Sequence, residues 1–219
     1  MIGVVVPAHD EEDQIGACLQ SLLLAAHCPR LTGEAVLLVV ALDACTDGTA
    51  RIAHGLGAVT LTVQARNVGL ARAQGADLAL AAGARWLAFT DADTVVAPDW
   101  LADQLAQGSD AVCGTIEVRD WGGYGQPMRR HFEATYTDAD GHRHIHGANL
   151  GVSAEAYRGV GGFQALASSE DVALVHALHD NGASIAWSAM PRVLTSARSD
   201  YRAPGGFGAT LRRVALGQA

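Results

Sequence analysis

The chain has 219 residues, 49% hydrophobic and 17% charged, with a formal net charge of -8. It can bury one sizeable core and no linker divides it, so a single domain that folds alone is expected, and its charge excludes a general binder of nucleic-acid backbones, which needs many cationic contacts. All 15 basic residues are Arg, which excludes a phosphate-cradling lysine, a Schiff-base lysine and a lysine general base.

Residues 2–6 form a continuous β-rich apolar run, as in a strand buried on both faces of a parallel sheet. Asp10 follows as an expected N-cap, with Glu11, Glu12 and Asp13 suiting the positive end of a helix dipole and Ile15, Cys18, Leu19, Leu22, Leu23 and Ala26 making one apolar stripe. Strand two is expected over 36–42, a turn over 43–49 and a second helix from about Ala50. Strand three is expected at 59–63, an Ala-rich helix at 70–82, strand four at 86–90 and a helix at 98–107. Four β-then-α units imply right-handed crossovers and a mostly parallel, doubly wound α/β sheet. After Asp110 the pattern is irregular: strands at 111–118 and 149–153, and helices at 126–136 and 171–180, the last ended by Asn181-Gly182.

The N-terminus has no positively charged start, and the longest apolar run, 35–42, is far short of the ~20 residues that span a bilayer. No transmembrane segment and a cytoplasmic location are expected, with peripheral membrane contact left open. Cys18, Cys28, Cys45 and Cys113 contain no CxxC pair and are expected to be buried free thiols.

In doubly wound sheets ligands bind beyond the carboxyl ends of the strands, where His9, Asp43, Arg66, Asp91 and Asp93 collect. Asp91-Ala92-Asp93 places two carboxylates at the end of strand four, a site for a hard cation such as Mg²⁺ or Mn²⁺ that leaves positions for substrate phosphates. Asp43 is the better ligand contact, and Asp47 the better turn and cap residue. Arg66 precedes a helix, either as a phosphate or base contact or as a simple helix start. Asp171 is either part of a Ser168 helix cap or a carboxylate that takes a proton from an attacking hydroxyl. His142, His144 and His146 alternate, so a strand would point all three one way; zinc is one use, and substrate contact by His146 beside Gly147 and Asn149 is the favoured one.

These pieces, in this order, resemble family 2 glycosyltransferases of the GT-A fold. The start Pro7-Ala-His-Asp-Glu11-Glu resembles that family's Pro-x-x-Asn-Glu-Glu, with Asp10 in the Asn place. The run 43–49 is similar to D-x-S-x-D-G-T with Cys45 for Ser, 66–75 to N-x-G-x-x-x-A-x-N-x-G, and 91–93 to the metal motif. Gly147-Ala-Asn-Leu-Gly, Val160-Gly-Gly-Phe163 and Glu170-Asp171 match acceptor-side elements. The resemblance implies a glycosyltransferase in which Pro7, Ala8, His9, Glu11, Asp43, Arg66, Asp91 and Ala92 border a nucleotide-diphosphate sugar. Asp91 faces the ribose or the metal, Asp93 holds the metal, His146, Gly147, Asn149 and Glu170 lie on the acceptor side, and Asp171 is the base of an inverting transfer to a hydroxyl. About 1–109 is then the nucleotide-binding half, 110–190 the acceptor-side half and 191–219 an Arg-containing tail, from which Arg198 closes over the diphosphate or stays solvated. The absence of a Q-x-x-R-W motif argues against a processive synthase. Two rivals are a sugar-phosphate nucleotidyltransferase, disfavoured by its missing Gly-rich signature and lysine, and a non-catalytic nucleotide-sugar binding protein.

Overall fold

The computed structural model describes residues 1–118 and 121–197. Eight strands form one sheet in the order β3-β2-β1-β4-β7-β6-β8-β5. In chain order the strands are β1 (Ile2–Ala8), β2 (Val36–Asp43), β3 (Val59–Val63), β4 (Trp86–Phe89), β5 (Val95–Val96), β6 (Ala111–Glu117), β7 (Leu150–Ser153) and β8 (Ile185–Leu194). The helices are α1 (Ile15–Ala26), α2 (Thr49–Gly55), α3 (Val68–Ala81), α4 (Trp100–Ala106), α5 (Gly125–Thr135), α6 (Ala154–Gly159) and α7 (Glu170–Asp180). Strands β1 to β4 are mutually parallel; β7 and β5 run against the rest. The mostly parallel single-domain α/β sheet expected from the alternation is the observed one.

Alternate residues of the central strands feed two apolar layers. Ile2, Val4 and Val6 of β1 pack on one face with Leu38 and Val40 of β2 and Leu19 and Leu22 of α1. Val5 and Val39 face the other side, among Ala76 and Ala79 of α3 and Leu174 and Leu178 of α7. Phe89 anchors this second layer against the edge of Phe163, ring centres 4.9 Å apart. Burial on both faces is why β1, β2 and β4 are legible as unbroken apolar runs.

Three expectations change. Helix α1 starts at Ile15, with Gln14 at its N-cap and no side-chain cap. Asp10 and Glu12 instead hold the β2–α2 loop, accepting from the amides of Thr46 (2.7 Å) and Gly48 (2.7 Å); their carboxylates have fixed partners there, so the helix begins a turn later. Residues 137–149, whose alternating histidines would share one side only if they lay on a strand, form no strand. Strand β8 was not expected, because Pro191 interrupts its apolar pattern; the pairing with β6 shifts register between Gly114 and Thr115, skipping residues 189–191, so the residue without an N–H sits in a bulge.

No helix among the described residues is long and apolar enough to cross a membrane.

Candidate active site

Because β1 to β4, β6 and β8 share one direction, their carboxyl ends lie along one edge of the sheet. Four of the five non-glycine residues with positive φ sit in the loops here or before α7: Asp10 (51°), Ala44 (53°), Arg66 (47°) and Ser169 (60°). Each such backbone costs on the order of 1 kcal/mol and persists only where neighbours fix it.

Asp43 does much of that fixing. It is 4% exposed and accepts from the amides of Ala65 (2.8 Å), Arg66 (2.8 Å) and Asn67 (2.6 Å). One carboxylate thus shapes the β3–α3 loop and presents the exposed Arg66 side chain, which has no ion-pair partner among the described residues. Asn67 then caps α3 by accepting from Leu70. The ring of His9 lies 2.7 Å from the Asp43 carbonyl. Asp47 takes the expected turn role, bonding Thr49 and the Glu12 amide. Glu11 is buried and its amide donates to Thr49. Pro7 is half-buried, whereas Ala8 and Ala92 are buried, so Ala8 and Ala92 can meet a ligand only through backbone.

The residue that sequence reasoning missed is Arg72. It is 3% exposed, and its guanidinium donates to Asp91 at the end of β4 and to Glu170 at the start of α7. It also lies over the Phe163 ring, 5.8 Å from its centre, and its Nε is buried with no hydrogen-bond partner among the described residues. Gly147 makes room for it: a Cβ there would fall 2.4 Å from the guanidinium. The signal was available, since Arg72 shares the buried face of α3 with Gly75, Ala76 and Ala79, and a lone arginine on an apolar helix face needs buried carboxylates.

Through Arg72 the end of β4 and the start of α7 meet. Next to Glu170, Asp171 accepts from the amides of Gly147 (2.7 Å) and Val172 (2.8 Å). The expected Ser168 cap is absent: Ser169 occupies the N-cap position and makes no side-chain cap bond. Asn149, 0% exposed, spends its amide on Trp100 (2.8 Å), Thr115 (2.7 Å) and Pro191 (3.0 Å), pinning β6 to the β8 bulge. Arg198 and the other tail arginines Arg202, Arg212 and Arg213 lie outside the described residues.

The histidines stack instead of converging. The His144 ring is parallel to Tyr136 at 4.1 Å and to His142 at 5.4 Å, and no three potential ligands gather for a metal among the described residues. Tyr136 accepts from the Ile116 amide and its hydroxyl lies 3.0 Å from His146 Nε2; burial pushes the phenol up, so it stays protonated. Burial, with help from His144 and His142, pushes the His146 imidazole down to about 3. Between about pH 6.5 and 3 the unfolded chain therefore binds a proton that the folded chain refuses, and stability falls with pH by up to ~1.4 kcal/mol per unit. Urea unfolding at pH 7 and 4.5 is expected to show His146→Gln losing about 2 kcal/mol less than wild type over that interval; equal losses would mean that the folded imidazole titrates normally.

Asp93 is half-exposed beside Thr94, and one oxygen of Asp91 is engaged by Arg72. The described residues offer no closed cage, but one or two carboxylates at a strand end fit an ion that completes its shell with substrate phosphates and water.

The family model for glycosyl transferase family 2 matches residues 3–161. No curated protein sequence matches the chain. Similar solved structures include TarS 1-349 of S. aureus in complex with UDP-GlcNAc, 16% identical with a TM-score of 0.69, covering 99% of this chain and 66% of that one. The mannosyltransferase PcManGT of Pyrobaculum calidifontis, in complex with GDP-Man and Mn²⁺, is 19% identical with a TM-score of 0.69, over 99% and 62% of the two chains. Glucosyl-3-phosphoglycerate synthase of Mycobacterium tuberculosis, in complex with Mn²⁺, UDP and glucosyl-3-phosphoglycerate, is 19% identical with a TM-score of 0.62, over 99% and 78%. The chain thus spans just under two thirds of the first two. With the family model covering well over half of its length, this chain belongs to glycosyl transferase family 2.

Proposed function

We propose that this protein transfers a sugar from a nucleotide-diphosphate sugar to an acceptor hydroxyl, non-processively and with inversion. The observation that carries the reading is the Arg72 bridge, which brings the Asp91-Ala-Asp93 end of β4 and the Glu170-Asp171 start of α7 to one place. A donor's diphosphate and an acceptor's hydroxyl need such carboxylates side by side. On this reading about 1–109 serves the nucleotide, with Pro7, Ala8, His9, Glu11, Asp43 and Arg66 around it, and 110–190 serves the acceptor.

Asp93, with the second oxygen of Asp91, would hold Mg²⁺ or Mn²⁺, which when bound offsets charge on the leaving diphosphate. Asp171 takes the acceptor proton as the hydroxyl oxygen bonds to the anomeric carbon and the diphosphate departs from the opposite face. The amides of Gly147 and Val172 fix that carboxylate, and it has no cationic partner among the described residues, so lone pairs remain for the acceptor. Like binding of nucleotide sugars by TarS and PcManGT supports the donor class.

A thermal-shift panel of UDP-, GDP- and dTDP-sugars with and without Mn²⁺ tests this. A cognate donor at about 100 times its dissociation constant is expected to add about 2.7 kcal/mol of stability, or several degrees, and to lose most of that without the ion. A panel in which no nucleotide sugar shifts the melting curve would refute the donor assignment.

A further inference from the structure

On its way to α7 the chain crosses the first turn of α3. Residues 164–167 are exposed and join two fixed points: Phe163, buried against Phe89 and under Arg72, and Glu170, bonded to Arg72. The amino end of α3 holds the stretch between them. The Gly69 amide donates to the Leu166 carbonyl (3.1 Å), and the side-chain NH₂ of Asn67 donates to the Ala165 carbonyl (3.2 Å). Amides in the first turn of a helix have no partner within it, which leaves Gly69 to make this bond while the Asn67 side-chain oxygen accepts from Leu70 (2.9 Å).

Gly69 lets the segment come this close. A Cβ there would fall 2.7 Å from the Leu166 carbonyl oxygen and 2.9 Å from the Leu166 nitrogen, and nearer still to the Gln164 carbonyl. All three are backbone atoms, which no change of rotamer moves aside. Glycine is a poorer helix former than alanine, so what it contributes in α3 is room. Three residues further along, and so on the same side of the helix, Arg72 takes hold of Glu170. Asn67, Gly69 and Arg72 thus tie residues 165–170 to α3 at three successive points. Asn67 is also part of the donor loop: its backbone amide donates to Asp43 (2.6 Å), one residue after Arg66. A bonded path runs from Asp43 through Asn67 to Ala165, six residues before Asp171.

Resting on the transferase reading, we infer that Asn67 and Gly69 are positioning residues for the transfer: they clamp residues 164–166 onto α3 and so set where Asp171 stands relative to the donor loop. Their effect is indirect. A reacting group misplaced by about 1 Å can cost on the order of 10² in rate, and opening the clamp frees the segment that delivers Asp171 to move that far.

The test compares Gly69→Ala and Asn67→Ser with wild type, each as the full chain with Mn²⁺ and the best-binding nucleotide sugar. Serine caps a helix about as well as asparagine but has no NH₂ to reach Ala165, so α3 keeps its start and only the clamp is lost. Hydrogen exchange read by mass spectrometry follows the clamp without turnover: amides of 163–172 are expected to exchange about tenfold faster in both variants, with β1 and β4 unchanged. In the same variants kcat is expected to fall about 10²-fold for Gly69→Ala and about tenfold for Asn67→Ser, while the donor dissociation constant stays within about threefold. Unchanged exchange over 163–172, or accelerated exchange with wild-type kcat, would overturn the inference. So would a loss of donor affinity as large as the loss of rate, which would place both residues in donor binding. If Gly69→Ala does not fold, Asn67→Ser decides by the same readings. A wild-type chain that transfers no sugar from any donor would instead bring down the reading beneath, whatever the exchange shows.

Discussion

Asp171→Asn is expected to lower turnover by about 10²–10⁴, equivalent to roughly 3–5 kcal/mol of barrier, while donor affinity stays within a few-fold. The geometry makes this substitution informative. An asparagine oxygen can still accept from the Gly147 or Val172 amide that now holds the carboxylate, so the loop stays in place and the capacity to take a proton is lost. Steady-state rates at saturating donor, with a donor titration on the same variant, separate the two effects. Near-normal turnover removes Asp171 from the mechanism. A matching loss of melting temperature would assign it to structure instead.

Arg72→Leu is expected to cost about 3–5 kcal/mol of stability, and roughly 10 °C in melting temperature, because Glu170 is 4% exposed and would be left as an uncompensated buried charge. The guanidinium reaches two carboxylates at once, and the point charge of Lys cannot fork in the same way, so Arg72→Lys should recover little. Adding Glu170→Leu to Arg72→Leu should restore much of the stability, since no unpaired buried charge then remains at that end, yet not the activity, because the start of α7 would no longer be held to β4. Urea melts of the two single variants and the double variant give the coupling. A loss below about 1 kcal/mol for Arg72→Leu would mean that the bridge does not hold these segments together.

The contrast between the halves of the chain explains what could be read from sequence. In the first half β1, β2 and β4 are buried on both faces, so 2–6, 36–42 and 86–89 stand out as apolar runs and their helices follow at regular spacing. In the second half β7 is four residues long, α6 six, and β8 carries Pro191 in a bulge and pairs with the two-residue β5; each strand is defined by partners far away in sequence. The site divides the same way. Strand ends place Asp43, Asp91 and Asp93, and spacing finds them. That Asp43 would spend its carboxylate on three amides of the next loop, and Asp10 and Glu12 on the β2–α2 loop instead of a helix start, depends on loop shape and not on local pattern. The histidine run was not decided by its spacing, because alternation orders side chains only on a strand, whereas here ring stacking on Tyr136 organises it. Arg72 lay inside a quoted motif, and its place on the small-residue face of α3 was the overlooked clue.

The most direct test follows the phosphorus of the donor. Incubation of the full chain with its best-binding nucleotide sugar, an acceptor glycoside and Mn²⁺, followed by ³¹P NMR, is expected to show the nucleoside diphosphate accumulating in wild type and not in Asp93→Ala. Pyrophosphate formed from a nucleoside triphosphate and a sugar phosphate, or a donor that binds tightly and is never consumed across a broad acceptor panel, would contradict sugar transfer at this cleft.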